Sequence, residues 1–166
     1  PLDFVVDHLV LVHLGGPPEE EELLERAPGG LPRMGADVVA LNTEFDGINI
    51  NVHAGSEYAR SKPEELAALV AEHQADVAIT FDGDADRVIL MDEKGRLIDG
   101  DHMLAILADA LHEQDLLLAN TLVTTVMANG SLHQYAADHH FELIQTPVGD
   151  KYVTEALLSL TSENGF

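Results

Sequence analysis

The chain has 166 residues, 46% of them hydrophobic, enough to bury one core or one domain and part of a second. Its 30 acidic against 8 basic residues give a formal charge of -22, which argues against a nucleic-acid backbone or an anionic membrane as partner, because like charges repel. With no cysteine, disulfides, thiolate metal sites and cysteine nucleophiles are all excluded.

A phosphorylated substrate meets the same repulsion, so a site for one needs a metal and a few basic groups to reverse the field locally. The apolar run Phe4 to Leu14 is broken by Asp7, His8 and His13 and has no basic leader, so it reads neither as a membrane span nor as a signal peptide. A cytoplasmic protein is expected. Phe4-Val5-Val6 reads as a strand. Residues 15–32, with Gly15-Gly16-Pro17-Pro18, the acidic run Glu19 to Glu22 and Gly29-Gly30, read as a solvated loop.

Asp37 to Leu41, Val77 to Phe81 and Val88 to Met91 are short β-rich runs and predict three further strands. Between them, Leu66, Leu69, Val70 and His73 share one face at helical spacing. This predicts a helix over Pro63 to His73, with Ser61 as cap and Pro63 in the first turn. Lys94-Gly95 marks a turn. Asp101 is then expected to cap a second helix that buries Leu104, Leu107, Ala108 and Leu111 and ends at His112 to Asp115. The pattern restarts with a strand over Thr121 to Val126, a helix from Ser131 to His139, a strand over Phe141 to Thr146 and a helix from Tyr152 to Leu160. Met91 and Met127 are expected in the core, and Asn164-Gly165 signals a turn.

Strands alternating with helices imply an α/β fold: a mixed, partly parallel sheet flanked by helices, followed by the beginning of a second similar α/β domain. The division is expected near residues 116–120, giving a metal-binding domain over 1–118 and a partial domain over 119–166.

The chemistry concentrates in Asp82-Gly83-Asp84-Ala85-Asp86-Arg87. Three carboxylates at i, i+2 and i+4 cannot meet on one ion from a flat strand. The small residues Gly83 and Ala85 leave room for the backbone to turn. Without a cation the three charges repel one another, and hard oxygen donors select Mg²⁺, Mn²⁺ or Ca²⁺. Arg87 sets a bidentate phosphate-binding group beside the ion, a pairing suited to phosphoryl transfer. A calcium-binding module is the rival, since Asp82, Asp84, Asp86, Ile89 and Glu93 fall at EF-hand positions. Arg87 stands where that loop needs glycine, and strands stand where it needs helices.

Phe81 to Val88 resembles the metal-binding signature of the α-D-phosphohexomutase superfamily. Further segments recur in the same order in its glucosamine-phosphate branch: Asp46 to Asn51 with Ala54-Gly55-Ser56, Asp99-Gly100-Asp101, Asn120 to Val123 with Thr125 to Asn129, and Val148 to Val153. The resemblance covers about residues 35–158. It implies an isomerase that interconverts glucosamine 6-phosphate and glucosamine 1-phosphate, for peptidoglycan precursors, through a phosphoserine and a bisphosphorylated intermediate. Phosphomannomutase or phosphoglucomutase is the alternative within the superfamily, and a noncatalytic Ca²⁺- or Mg²⁺-binding module the alternative outside it.

The resemblance further implies that Asp82, Asp84 and Asp86 ligate Mg²⁺, that Arg87 contacts the phosphoryl group, and that Gly149-Asp150-Lys151 faces the phosphosugar. It makes the chain the second domain and the opening of the third of a four-domain enzyme, whose remaining domains are its partners besides the phosphosugar. The superfamily's phosphoserine loop, Thr/Ala-Ser-His-Asn, does not occur in the sequence, so no catalytic serine is assigned and the chain alone is expected to be inactive. Residues 8–34 do not match the superfamily pattern. Lysine stands at 151 where the branch commonly has arginine, which keeps the charge but not the fork geometry.

Overall fold

In the first of two units, Pro1–Asp99, five strands form one sheet: β1 (Leu9–Leu14), β2 (Ala36–Leu41), β3 (Val77–Phe81), β4 (Val88–Asp92) and β5 (Leu97–Ile98), in the order β2-β1-β3-β4-β5. The computed structural model describes residues 9–14, 36–41, 55–82 and 87–163. The strand expected at Phe4 to Val6, the loop at 15–32 and the turn at Asn164-Gly165 lie outside them.

Every neighbouring pair in this sheet is antiparallel. Parallel pairing, expected from the alternation of strands and helices, is absent among the described residues of this unit. The connections explain part of this. A parallel pair needs a crossover of about a dozen residues or more, and the links from β3 to β4 and from β4 to β5 are too short in sequence to supply one.

Two helices, α1 (Ser56–Ser61) and α2 (Pro63–His73), pack on the sheet. The period-2 pattern decides which strand residues meet them: Ala78 on β3 and Ile89 and Met91 on β4 are buried with Leu66, Val70 and Ala59. Ala78 lies directly across from Met91, so a small residue opposes a long flexible one. On the other face Val77, Ile79 and Phe81 pack with Ala36 and Val38. The helix α2 has the bounds its spacing predicts, with Pro63 in the first turn. Ser61 does not cap it: the cap position is Lys62, and the Ser61 hydroxyl donates to the Tyr58 carbonyl at 3.1 Å, closing α1 instead.

The β4–β5 turn is held by Asp92. Its Oδ1 accepts from the amides of Lys94 (3.0 Å) and Arg96 (2.8 Å), and its Oδ2 accepts from Arg96 Nε at 2.6 Å. Burial works against the charge, but the Arg96 amide and guanidinium and the Lys94 amide outweigh it and hold this carboxyl below its usual range. Gly95 has φ 75 and a Cβ there would come within 3.0 Å of Ala67 Cβ, so the turn needs glycine twice over.

The second unit, Gly100–Phe166, contains α3 (Gly100–Glu113), a 3-10 turn at Leu118–Asn120, β6 (Thr121–Thr125), α4 (Gly130–Asp138), β7 (Glu142–Thr146) and α5 (Asp150–Glu163). Here β6 and β7 are parallel, with α4 as the crossover, and the expected parallel pairing is found. Ala108 of α3 is buried with Leu122, Leu132, Ala136 and Phe141, and Leu104 and Ala105 pack beside it. The helix therefore belongs to the second core, and the division falls at Asp99/Gly100 rather than after residue 118.

The stripe on α3 is also turned from the expected one. Leu107 is 59% and Leu111 39% exposed, whereas Leu104, Ala105 and Ala108 meet the core and the His112 ring edge meets Phe141 at 5.2 Å. The Tyr135 hydroxyl donates to Asp109 Oδ1, with the Ala105 carbonyl as a second acceptor within 3.1 Å of the same proton-bearing oxygen, tying α4 to α3. Burial, then that bond to Asp109 and its charge, push the phenol up to about 12, so it stays a donor at neutral pH.

Asn129 caps α4: its Oδ1 accepts from the Ser131 amide at 2.6 Å, while its own amide donates to Asp101 Oδ2 at 2.8 Å. Asp101, expected as a cap for α3, lies inside that helix's first turn and supports the next helix instead. Asn129→Ala is expected to lower stability by about 1 kcal/mol in urea unfolding, as the loss of a capping side chain does, whereas Asn129→Ser should be nearly neutral. Of the two methionines expected in the core, Met91 is fully buried and Met127 is 76% exposed, in the turn after β6. Among the described residues no helix is long and apolar enough to cross a membrane.

Candidate metal centre

The last paired residues of β3 and β4 are Phe81 and Val88, so the segment 82–87 closes a hairpin. Asp82 opens it and Arg87 ends it, and the backbone joins them: the Asp82 amide donates to the Arg87 carbonyl at 3.3 Å, and the Arg87 amide donates to Asp82 Oδ1 at 3.1 Å. Arg87 Nε lies 2.5 Å from Asp82 Oδ2.

The two side chains differ sharply in exposure, 6% for Asp82 and 61% for Arg87. A buried carboxylate is costly unless compensated, and the guanidinium supplies that compensation from the solvent side. Asp84 and Asp86, with Gly83 and Ala85, lie outside the described residues. Among the described residues no three carboxylate or imidazole side chains are arranged to hold a metal ion. The donor chemistry nonetheless fits one: a buried carboxylate, Asp82, at the end of β3, followed in the sequence by two more, all hard oxygens suited to a small divalent cation. Paired strands flank the turn on both sides, so the helix–loop–helix of an EF-hand is not what this segment forms.

A residue that sequence reasoning missed joins the site. Glu57, in the first turn of α1, places Oε1 3.5 Å from Arg87 Nη1. The only signal for α1 was Gly55-Ser56 followed by Glu57, since six residues are too few for a helical period to stand out. Gly55 precedes the helix with φ 94, and Ser56 is buried at 3% exposure with its hydroxyl unmatched among the described residues.

Gly149, Asp150 and Lys151 belong to the second unit. They form the entry to α5 rather than a separate loop, because the helix starts at Asp150, two residues before the expected start at Tyr152. Gly149 has φ 137, and its carbonyl accepts from the Tyr152 amide at 3.0 Å. Lys151 is exposed, with Nζ 3.8 Å from Glu155 Oε1 one turn along. An exposed ion pair at this spacing contributes only a few tenths of a kcal/mol, roughly, so the ammonium is readily drawn to another anion.

Two family models match the chain. Residues 20–95 match domain II, and residues 99–166 domain III, of phosphoglucomutase/phosphomannomutase, both described as alpha/beta/alpha. A phosphoglucosamine mutase of Solidesulfovibrio magneticus is 47% identical over 130 residues, covering 78% of the chain and 28% of the relative. One from Afipia carboxidovorans is 45% identical over 132 residues, covering 80% and 29%. The chain thus spans less than a third of the length of these relatives. Among solved structures, an N-acetylglucosamine-phosphate mutase of the α-D-phosphohexomutase superfamily is 23% identical with a TM-score of 0.48, covering 64% of this chain and 25% of that one.

Proposed function

The chain belongs to the phosphoglucomutase/phosphomannomutase family, and we propose that it carries the metal loop of a phosphoglucosamine mutase, an isomerase that interconverts glucosamine 6-phosphate and glucosamine 1-phosphate. The observation that carries the reading is the contact between Asp82 and Arg87 at the ends of β3 and β4, a buried carboxylate and an exposed guanidinium bracketing a segment whose sequence has two further aspartates. The naming of relatives 45–47% identical to the chain supports the sugar preference over the phosphomannomutase or phosphoglucomutase alternative.

Asp82, Asp84 and Asp86 would hold Mg²⁺, which when bound lends positive charge to a phosphoryl group in transfer. The hairpin fixes Asp82 in place before any ligand arrives, and its burial keeps water from competing for the inner oxygen. Arg87, exposed and one residue from the last aspartate, orients phosphoryl oxygens beside the metal loop. Gly149, Asp150 and Lys151 open α5, where the backbone amides and the Lys151 ammonium suit the phosphate of a phosphosugar. The phosphoserine loop Thr/Ala-Ser-His-Asn that carries the phosphate in this reading does not occur in the sequence given, so the chain alone binds metal without turnover, and the remaining domains of the whole enzyme are its partners.

Calorimetric titration of Mg²⁺, at millimolar concentrations, into the wild type and into Asp84→Asn tests the metal loop. Binding by the wild type that falls at least about tenfold in the variant is expected. Equal binding by both, or none by either, would remove the loop from the proposal. Conversion of glucosamine 6-phosphate by the chain alone would overturn the claim of inactivity.

A further inference from the structure

Arg87 stands between two carboxylates. Its Nε meets Asp82 Oδ2 at 2.5 Å and its amide meets Oδ1 at 3.1 Å, while Nη1 lies 3.5 Å from Glu57 Oε1. Asp82 Oδ1 thus accepts a hydrogen bond from Arg87, and Oδ2 faces its guanidinium as an ion pair. A divalent cation that takes Asp82 as a ligand meets a positive charge already seated on that carboxylate, and like charges so close in a partly buried site repel strongly. An oxyanion that binds the guanidinium acts in the opposite sense, because each Arg87 donor turned toward it is one fewer directed at Asp82.

We propose that Arg87 is a counter-ion of the metal loop, competing with the divalent cation for Asp82, so that a phosphoryl group which draws the guanidinium away tightens metal binding. This rests on the reading of Asp82 as a ligand and of Arg87 as a phosphate contact. Coupling of this kind is reciprocal: the metal raises phosphate affinity by the same factor as phosphate raises that of the metal. Glu57 makes the exchange accessible, since a guanidinium leaving Asp82 keeps a carboxylate partner on α1. Asp82 then keeps a cationic partner in either state, and metal and phosphate arrive as a pair.

The test is a titration of the 166-residue chain with Mn²⁺, free ion being read by electron paramagnetic resonance, with and without inorganic phosphate. Wild type, Arg87→Gln, Arg87→Lys and Asp84→Asn are compared. Arg87→Gln should bind Mn²⁺ roughly threefold to tenfold more tightly than wild type, the range expected for loss of a charged pair with one buried partner. Phosphate should tighten Mn²⁺ binding to the wild type by about twofold or more and leave Arg87→Gln unchanged. Arg87→Lys keeps the charge but not the Nε contact, and an affinity between the other two assigns part of the competition to geometry.

Arg87→Gln equal to or weaker than wild type, with Asp84→Asn still abolishing binding, overturns the competition and leaves the metal loop standing. The same phosphate effect in wild type and Arg87→Gln reflects ion pairing in solution and overturns the coupling. No Mn²⁺ binding by any of the four overturns both.

Discussion

Met91→Ala is expected to destabilise the first unit by about 2–5 kcal/mol, the range for truncating a fully buried long side chain. Met91 has no exposed surface, sits in the middle of β4 and faces Ala78 across the β3–β4 pair, beneath Leu66 and Val70 of α2. A methyl at position 91 would leave two small residues opposed where the helix rests on the sheet, and the neighbouring backbone cannot close that gap without breaking strand pairing. Met91→Leu, which nearly conserves volume, should cost less than about 1.5 kcal/mol. Urea unfolding of both variants is the check. A Met91→Ala loss under about 1 kcal/mol would mean that the core tolerates collapse at this point.

Asp82→Asn should reduce divalent-cation affinity by at least about tenfold while the hairpin persists. Asparagine keeps an oxygen for the Arg87 amide, so the backbone closure between the two residues is retained, but it removes the negative charge that Arg87 Nε and any cation share. The result is read by Mg²⁺ calorimetry alongside far-ultraviolet circular dichroism. Affinity within about twofold of wild type, with unchanged dichroism, would show that Asp82 serves the hairpin and not the metal.

The sequence made some of this legible for identifiable reasons. The α2 helix and strand β3 have the bounds that their periodicity predicts, because Leu66 and Val70 mark one helical face and Ala78 and Thr80 alternate with Val77, Ile79 and Phe81. Strand direction was not legible. The same run of strands and helices yields an antiparallel sheet in one unit and a parallel pair in the other, and the difference lies in connections that periodicity does not describe.

Burial was misread where apolar character alone was the guide. Leu107, Leu111 and Met127 are exposed, while the small residues Ala105 and Ala108 make the helix contact that fixes how α3 is turned. That rotation, and the contact with Leu132, Ala136 and Phe141, also moved the domain division ahead of α3. At the site, the sequence draws attention to residues 82–87 because three aspartates at alternate positions between apolar strands have a cost that needs a cause; of these the structure describes Asp82 and Arg87, which meet. Glu57 was not, since it reaches Arg87 only through a fold that brings α1 beside the hairpin.

The strand order β2-β1-β3 has a consequence for how the first unit is made. Leu9 pairs with Leu41 on one side and with Thr80 on the other, so the strand that comes first among the described residues lies inside the sheet and receives its second neighbour from far along the sequence. Closing so long a segment must precede the hydrogen bonds that reward it, which slows assembly relative to local pairings such as β3 with β4. As the chain leaves the ribosome, one edge of β1 therefore waits for β3, and during that interval it is exposed to pairing with other chains.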